Sequence, residues 1–196
     1  EGTVISSNSI SIENNKVKFG FGVVGYDWTE ETFGSGTTDK FGIASSDDGT
    51  KLATAVYNGN IWTSSDSGAN WTENTTSPGA VKKWEDITSS SDGTKLAAGV
   101  SNGNIWTSND SGSTWTEITV GDGTNGWRKI TSSADGTKLA ATHGTGNIWT
   151  SSNSGATWTE VTNTGGDKYW FGITSSADGT KLAAGGYGTH IWTSSN

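Results

Sequence analysis

The phrase Asp-Gly-Thr-Lys-Leu-Ala begins at Asp48, Asp92, Asp135 and Asp178, and an Ile-Trp pair follows each copy at Ile61, Ile105, Ile148 and Ile191. A unit of roughly 43 residues that returns four times is too small to bury a core alone, so its copies must stack on one another. Every unit consists of short alternating segments separated by Gly, Ser, Asn and Asp, and no apolar stripe of helical spacing crosses any of them. Helical solenoids of similar period are thereby excluded.

The period and the strand-like segments predict an all-β chain, a small β-propeller of four blades with four strands each. In the second unit the strands are expected at Trp84–Ser90, Thr94–Val100, Asn104–Ser108 and Thr114–Ile118, with Asn102-Gly103 supplying the positive-φ pair of a tight hairpin. Residues 25–196 hold the four units, and residues 1–24 are surplus to them. Their segments VISSNSISIEN and KVKFGFGVV alternate like strands, as extra edge strands or a degenerate fifth blade. The fourth unit stops at His190-Ile191-Trp192-Thr193-Ser194-Ser195-Asn196 with no later Trp, while Trp28 stands one period ahead of Trp71. An N-terminal strand, Asp27-Trp28-Thr29-Glu30-Glu31, is therefore expected to complete the last blade. It would do so within one monomer or by strand exchange in a homo-oligomer.

Only 30% of the residues are hydrophobic, yet the chain holds 11 Trp, so the core is expected to be aromatic. A net charge of −8 and a pI near 4.6 disfavour nucleic acid and anionic membranes as partners. No apolar run approaches the roughly 18 residues of a membrane span. Cysteine is absent, which removes disulfides and thiol chemistry. The chain opens at Glu1 and contains no Met, as a mature secreted or surface protein would after leader removal.

Ser108-Asn109-Asp110-Ser111-Gly112-Ser113-Thr114-Trp115 fits S-x-D-x-G-x-T-W and resembles the Asp-box of bacterial neuraminidase-type repeats. The resemblance covers roughly residues 40–196 and implies a structural hairpin between the third and fourth strands of a blade. On that reading Asp66, Gly68 and Trp71 form one box, Asp110, Gly112 and Trp115 the next, and Asn153, Gly155 and Trp158 a third in which Asn replaces Asp. Sialidase activity would need an arginine triad, and Arg128 is the only Arg. The recurring Glu30, Glu73, Glu117 and Glu160 suit an architectural role, since a catalytic acid is needed once. No enzyme activity is expected, nor any cofactor or metal site, because His143 and His190 lack ligand-spaced companions.

Trp84, Trp127 and Trp170 recur three residues before the first-strand Ile of their units, with Lys40 in that position of the first unit. The topology that the resemblance implies would place them on one rim beside Tyr57, His143 and Tyr187, as a lectin-like, carbohydrate-binding surface of flat rings that stack on sugar. The competing assignment makes these Trp wedges between blades. The partner is then a glycan or, for a scaffolding subunit, another protein.

Overall fold

Residues 9–13, 16–20, 28, 30–31, 39–75, 81–121, 123, 126–165 and 167–194 are described by a computed structural model, which divides into two units, Glu1–Glu31 and Thr32–Asn196. In the first unit β1 (Ser9–Glu13) and β2 (Lys16–Gly20) pair antiparallel, with Ile10 opposite Phe19 and Ile12 opposite Val17. Both fall within the alternating N-terminal segments. Of the expected closing phrase, only Trp28, Glu30 and Glu31 are among the described residues.

The second unit is built from the four repeats in turn. The first supplies β3 (Lys40–Ser45), β4 (Leu52–Gly59), β5 (Ile61–Ser64) and β6 (Thr72–Asn74), and the second β7 (Lys82–Ser89), β8 (Leu96–Val100), β9 (Ile105–Ser108) and β10 (Thr116–Ile118). The third supplies β11 (Trp127–Ser132), β12 (Leu139–His143), β13 (Ile148–Ser151) and β14 (Thr159–Val161), and the fourth β15 (Tyr169–Ser175), β16 (Leu182–Tyr187) and β17 (Trp192–Ser194). Within each repeat, successive strands pair antiparallel as a meander. Short bridges from Tyr57 and Gly59 to Lys83 and Lys82 join the first two sheets into one. No helix occurs among the described residues.

The Asp-Gly-Thr-Lys phrase is a turn organised by a serine, which is buried in the first three repeats. Ser90 Oγ donates to Asp92 Oδ1 at 2.6 Å and accepts from Lys95 N–H at 3.0 Å, while Thr94 N–H donates to the same carboxylate oxygen at 2.9 Å. Ser46, Ser133 and Ser176 repeat the arrangement with Asp48, Asp135 and Asp178. The serine bond first, then the threonine bonds, lower Asp48, Asp92 and Asp178 from the ordinary 3.8 to about 2, and Asp135 further. Carboxyls held below their unfolded pKa stabilise the fold above that value, and the contribution is lost as pH falls through the folded one. Stability to urea is therefore expected to decline between about pH 4 and about pH 2. An unchanged unfolding midpoint across that window would contradict the turn geometry.

Consecutive sheets stack face on face, and each internal interface uses the same positions. The rear of the first sheet (Ala53, Ala55, Ile61) meets the front of the second (Trp84, Ile87, Leu96, Ala98, Trp106, Trp115) in one buried cluster. Ala97, Ile105 and Val120 meet Trp127, Ile130, Leu139 and Ala141 in the next, and Ile148 meets Trp170 and Ala184 in the third. The two ends of this stack of four sheets differ from its interior. Ile43, on the front of the first sheet, is 71% exposed and Ile191, on the rear of the fourth, 74% exposed, whereas their counterparts Ile87 and Ile105 are 3% and 0% exposed.

Candidate functional site

The predicted rim of Trp84, Trp127 and Trp170 does not face solvent. They are 0%, 1% and 0% exposed, so none offers a face to a sugar. A β-bulge follows each of them, with register shifts between Trp84 and Asp86, Trp127 and Lys129, and Trp170 and Gly172. The extra residue breaks strict alternation and turns the Trp to the same side as the Ile three positions later. Each ring then packs in its own sheet's front face. Trp127 lies edge-on to Trp149 at 6.3 Å and tilted against Trp158 at 6.3 Å, and Trp84 lies edge-on to Trp106. Gly99 of the preceding sheet leaves the room, since a Cβ there would stand 2.9 Å from Trp127 Cβ.

The residues expected beside these Trp are also distributed differently. His143 is paired with Trp127 across β11 and β12, where Val100 stands opposite Trp84, and its half-buried ring meets Trp127 edge-on at 6.3 Å. Tyr187 is exposed and stands opposite Tyr169, and half-buried Tyr57 bridges to Lys83 between the first two sheets. The six residues therefore form no common surface.

The S-x-D-x-G-x-T-W loop of the second repeat and its variants in the first and third, with Asn70 for the Thr and Asn153 for the Asp, are hairpin connections between the third and fourth strands. Ser108 Oγ accepts from Gly112 N–H at 2.9 Å, and Asp110 accepts from Thr114 N–H at 2.8 Å and Thr114 Oγ1–H at 2.6 Å. Asp66 holds Asn70 in the same way, and Asn153 holds Thr157 through its amide oxygen. Trp115 and Trp158 each donate Nε1–H to the box glycine carbonyl, Gly112 and Gly155, at 3.0 Å. These glycines have φ of 88° and 84°, and a Cβ on either would strike a threonine of the preceding sheet. Trp71 and Gly68 occupy the corresponding places in the first repeat. Both carboxylate oxygens of Asp66 and of Asp110 accept hydrogen bonds from residues of their own loops.

A different surface stands out along the innermost strands. The residue after the repeated Trp is Glu85, Arg128 or Phe171, with Phe41 at the matching position of the first unit, and Glu85, Arg128 and Phe171 line a cleft of about 240 Å3 with Lys129. Arg128 Nη2–H donates to Tyr169 Oη at 3.0 Å, and its guanidinium lies 5.5 Å from the centre of that ring. The Tyr169 and Phe171 rings are 5.4 Å apart and both side chains are exposed. Beneath them, Asp86 accepts Ile130 N–H at 3.0 Å and pairs with Lys129 at 3.5 Å. Burial pushes the Asp86 carboxyl upward, opposed by the Ile130 bond and by Lys129. The sequence signal was that Arg128 and Tyr169 do not recur at their positions inside near-identical repeats. A second, larger cleft of about 590 Å3 opens between the third and fourth sheets, lined by Ile148, Val161, Leu182 and Trp192, on the side where the fourth sheet has three strands. Among the described residues no group of three or more His, Asp or Glu is placed to hold a metal.

No family model matches the chain, and no curated protein matches it in sequence. Among solved structures it is similar to a protein of the nidogen/laminin complex, with a TM-score of 0.65 and 16% identity over 95% of this chain and 69% of that one. It is also similar to YCF48 bound to a D1 peptide, with a TM-score of 0.62 and 16% identity over 80% of this chain and 50% of that one. The fold is a β-propeller. The GH74 xyloglucanase from Xanthomonas campestris gives a TM-score of 0.60 and 14% identity over 81% of this chain. This propeller chain spans only 29% of that enzyme and half of YCF48.

Proposed function

We propose that this chain is a non-catalytic recognition module, an Asp-box-type propeller acting outside the cell or at its surface, which holds a protein partner against Arg128, Tyr169 and Phe171. The observation that carries the proposal is the exposed Tyr169–Phe171 pair beside Arg128. Neither Arg128 nor Tyr169 recurs at its position in the other units, as the residues that maintain the stack do. Aromatic and arginine side chains dominate protein contacts because they combine large apolar area with directional hydrogen bonding. Arg128 spends one N–H on Tyr169, leaving guanidinium donors for a carboxylate or backbone carbonyl of an incoming peptide. Two of the similar structures hold YCF48 with a D1 peptide and nidogen with laminin, so this fold supports protein recognition. The catalytic alternative is disfavoured by the engagement of the repeated Asp in turns and loops.

A carbohydrate reading survives in altered form. Its support is the exposure of Tyr169, Phe171 and Tyr187, rings able to stack on a pyranose, in place of the buried Trp. Parallel peptide and glycan arrays separate the two. The expected result is peptide binding that weakens about tenfold or more in Phe171→Ala and in Arg128→Ala, with thermal melting nearly unchanged. Glycan binding without peptide binding would give the site to sugar. Binding indifferent to both substitutions would remove the site.

A further inference from the structure

The two ends of the stack present the two halves of an interface that the chain already builds three times. We propose that copies of this chain associate head to tail, the rear of the fourth sheet of one docking on the front of the first sheet of the next. The apolar observation is the exposure of Ile191 and Ile43, whose counterparts Ile105 and Ile87 close the internal interfaces.

Hydrogen bonding gives the same result independently. Asp47 N–H donates to Ser91 O at 2.8 Å, Ser91 N–H to Ala134 O at 2.7 Å and Ala134 N–H to Ala177 O at 2.7 Å, each bond stepping to the next sheet. A second series runs from Lys51 Nζ to Asp92 O at 3.0 Å, Lys95 Nζ to Asp135 O at 3.0 Å and Lys138 Nζ to Asp178 O at 2.8 Å. Among the described residues, both series end with Ala177 N–H and Lys181 Nζ lacking the next acceptor, and begin at Asp47 and Asp48 carbonyls lacking the previous donor. The donors of one end match the acceptors of the other in kind and order.

Steric room shows the same pairing. A Cβ on Gly93, Gly136 or Gly179 would lie 2.7–2.9 Å from the lysine of the preceding sheet, whereas Gly49 has nothing within 4 Å. Gly42 faces the backbone of Asp86 and Ile87, whereas its counterpart Gly172 is open. The missing neighbour of Gly49 is a lysine in the position of Lys181, and that of Gly172 is a strand like β3. A second copy supplies both, through the same residues at the same places. The contact is heterologous, since each end recognises the other and not itself, so it closes into a ring or continues as a chain of copies.

Sedimentation velocity over a concentration series, on the full chain, tests this with Ile43→Asp and Ile191→Asp. Both positions are exposed within a single copy, so each variant should melt like the wild type. The wild type is expected to self-associate, and each variant alone to associate about tenfold or more weakly. An equimolar mixture of the two should recover a one-to-one dimer, because the mixture retains one undamaged front and one undamaged rear. A wild type that stays monomeric at every concentration would overturn the proposal. So would association insensitive to both substitutions, or variants that fail to complement.

Discussion

Replacing Trp127 with alanine is expected to lower the free energy of unfolding by about 3–5 kcal/mol, measured by urea denaturation. The ring is 1% exposed and touches Trp149 and Trp158 while its Cβ fits over Gly99, so truncation opens a cavity that spans two sheets. Its indole N–H has no acceptor among the described residues, a penalty that the substitution relieves, which places the loss toward the lower end of the range. A loss below about 1 kcal/mol would mean that the ring is not a wedge.

Position within the stack, and not residue type, sets the second large effect. Ile105→Ala should cost about 2–5 kcal/mol, because Ile105 is sealed between the second and third sheets. Ile191→Ala, the same change at the same place in the repeat, should fall within about 0.5 kcal/mol of neutral for the isolated chain at low concentration. Equal losses at the two sites would show that the rear of the fourth sheet is already covered within one chain.

The architecture could be read from the sequence because the repeat is near-perfect. The 43-residue period locates every unit, and the second-unit strands expected at Trp84–Ser90, Thr94–Val100, Asn104–Ser108 and Thr114–Ile118 appear as Lys82–Ser89, Leu96–Val100, Ile105–Ser108 and Thr116–Ile118. The hairpin forms at Asn102-Gly103, but only Asn102 takes a positive φ, 55°, where the sequence suggested a positive-φ pair. The orientation of Trp84, Trp127 and Trp170 was hidden by the bulge. A one-residue shift reverses which side of a strand is buried, and none of the flanking residues marks it in a single sequence.

The candidate site was missed for the opposite reason. Arg128 and Tyr169 do not recur in the other units, so a search for shared residues passes over them, and the Arg128–Tyr169 contact joins side chains 41 positions apart. Ring closure could not be decided from the period because a closed ring and an open stack have the same repeat. The exposure of Ile43 and Ile191 and the open space beside Gly49 and Gly172 are features that only the packed sheets reveal.

The central claim is that the repeated Trp are internal wedges and that the exposed inner-strand aromatics form the binding surface. Hydroxyl-radical footprinting of the native chain, read residue by residue by mass spectrometry, tests it directly because aromatic side chains are modified according to their access to solvent. The account predicts fast modification of Tyr169, Phe171 and Tyr187, and near-complete protection of Trp84, Trp127 and Trp170 until the chain unfolds. Modification of Trp127 at the rate of Tyr187 in the folded chain would contradict it.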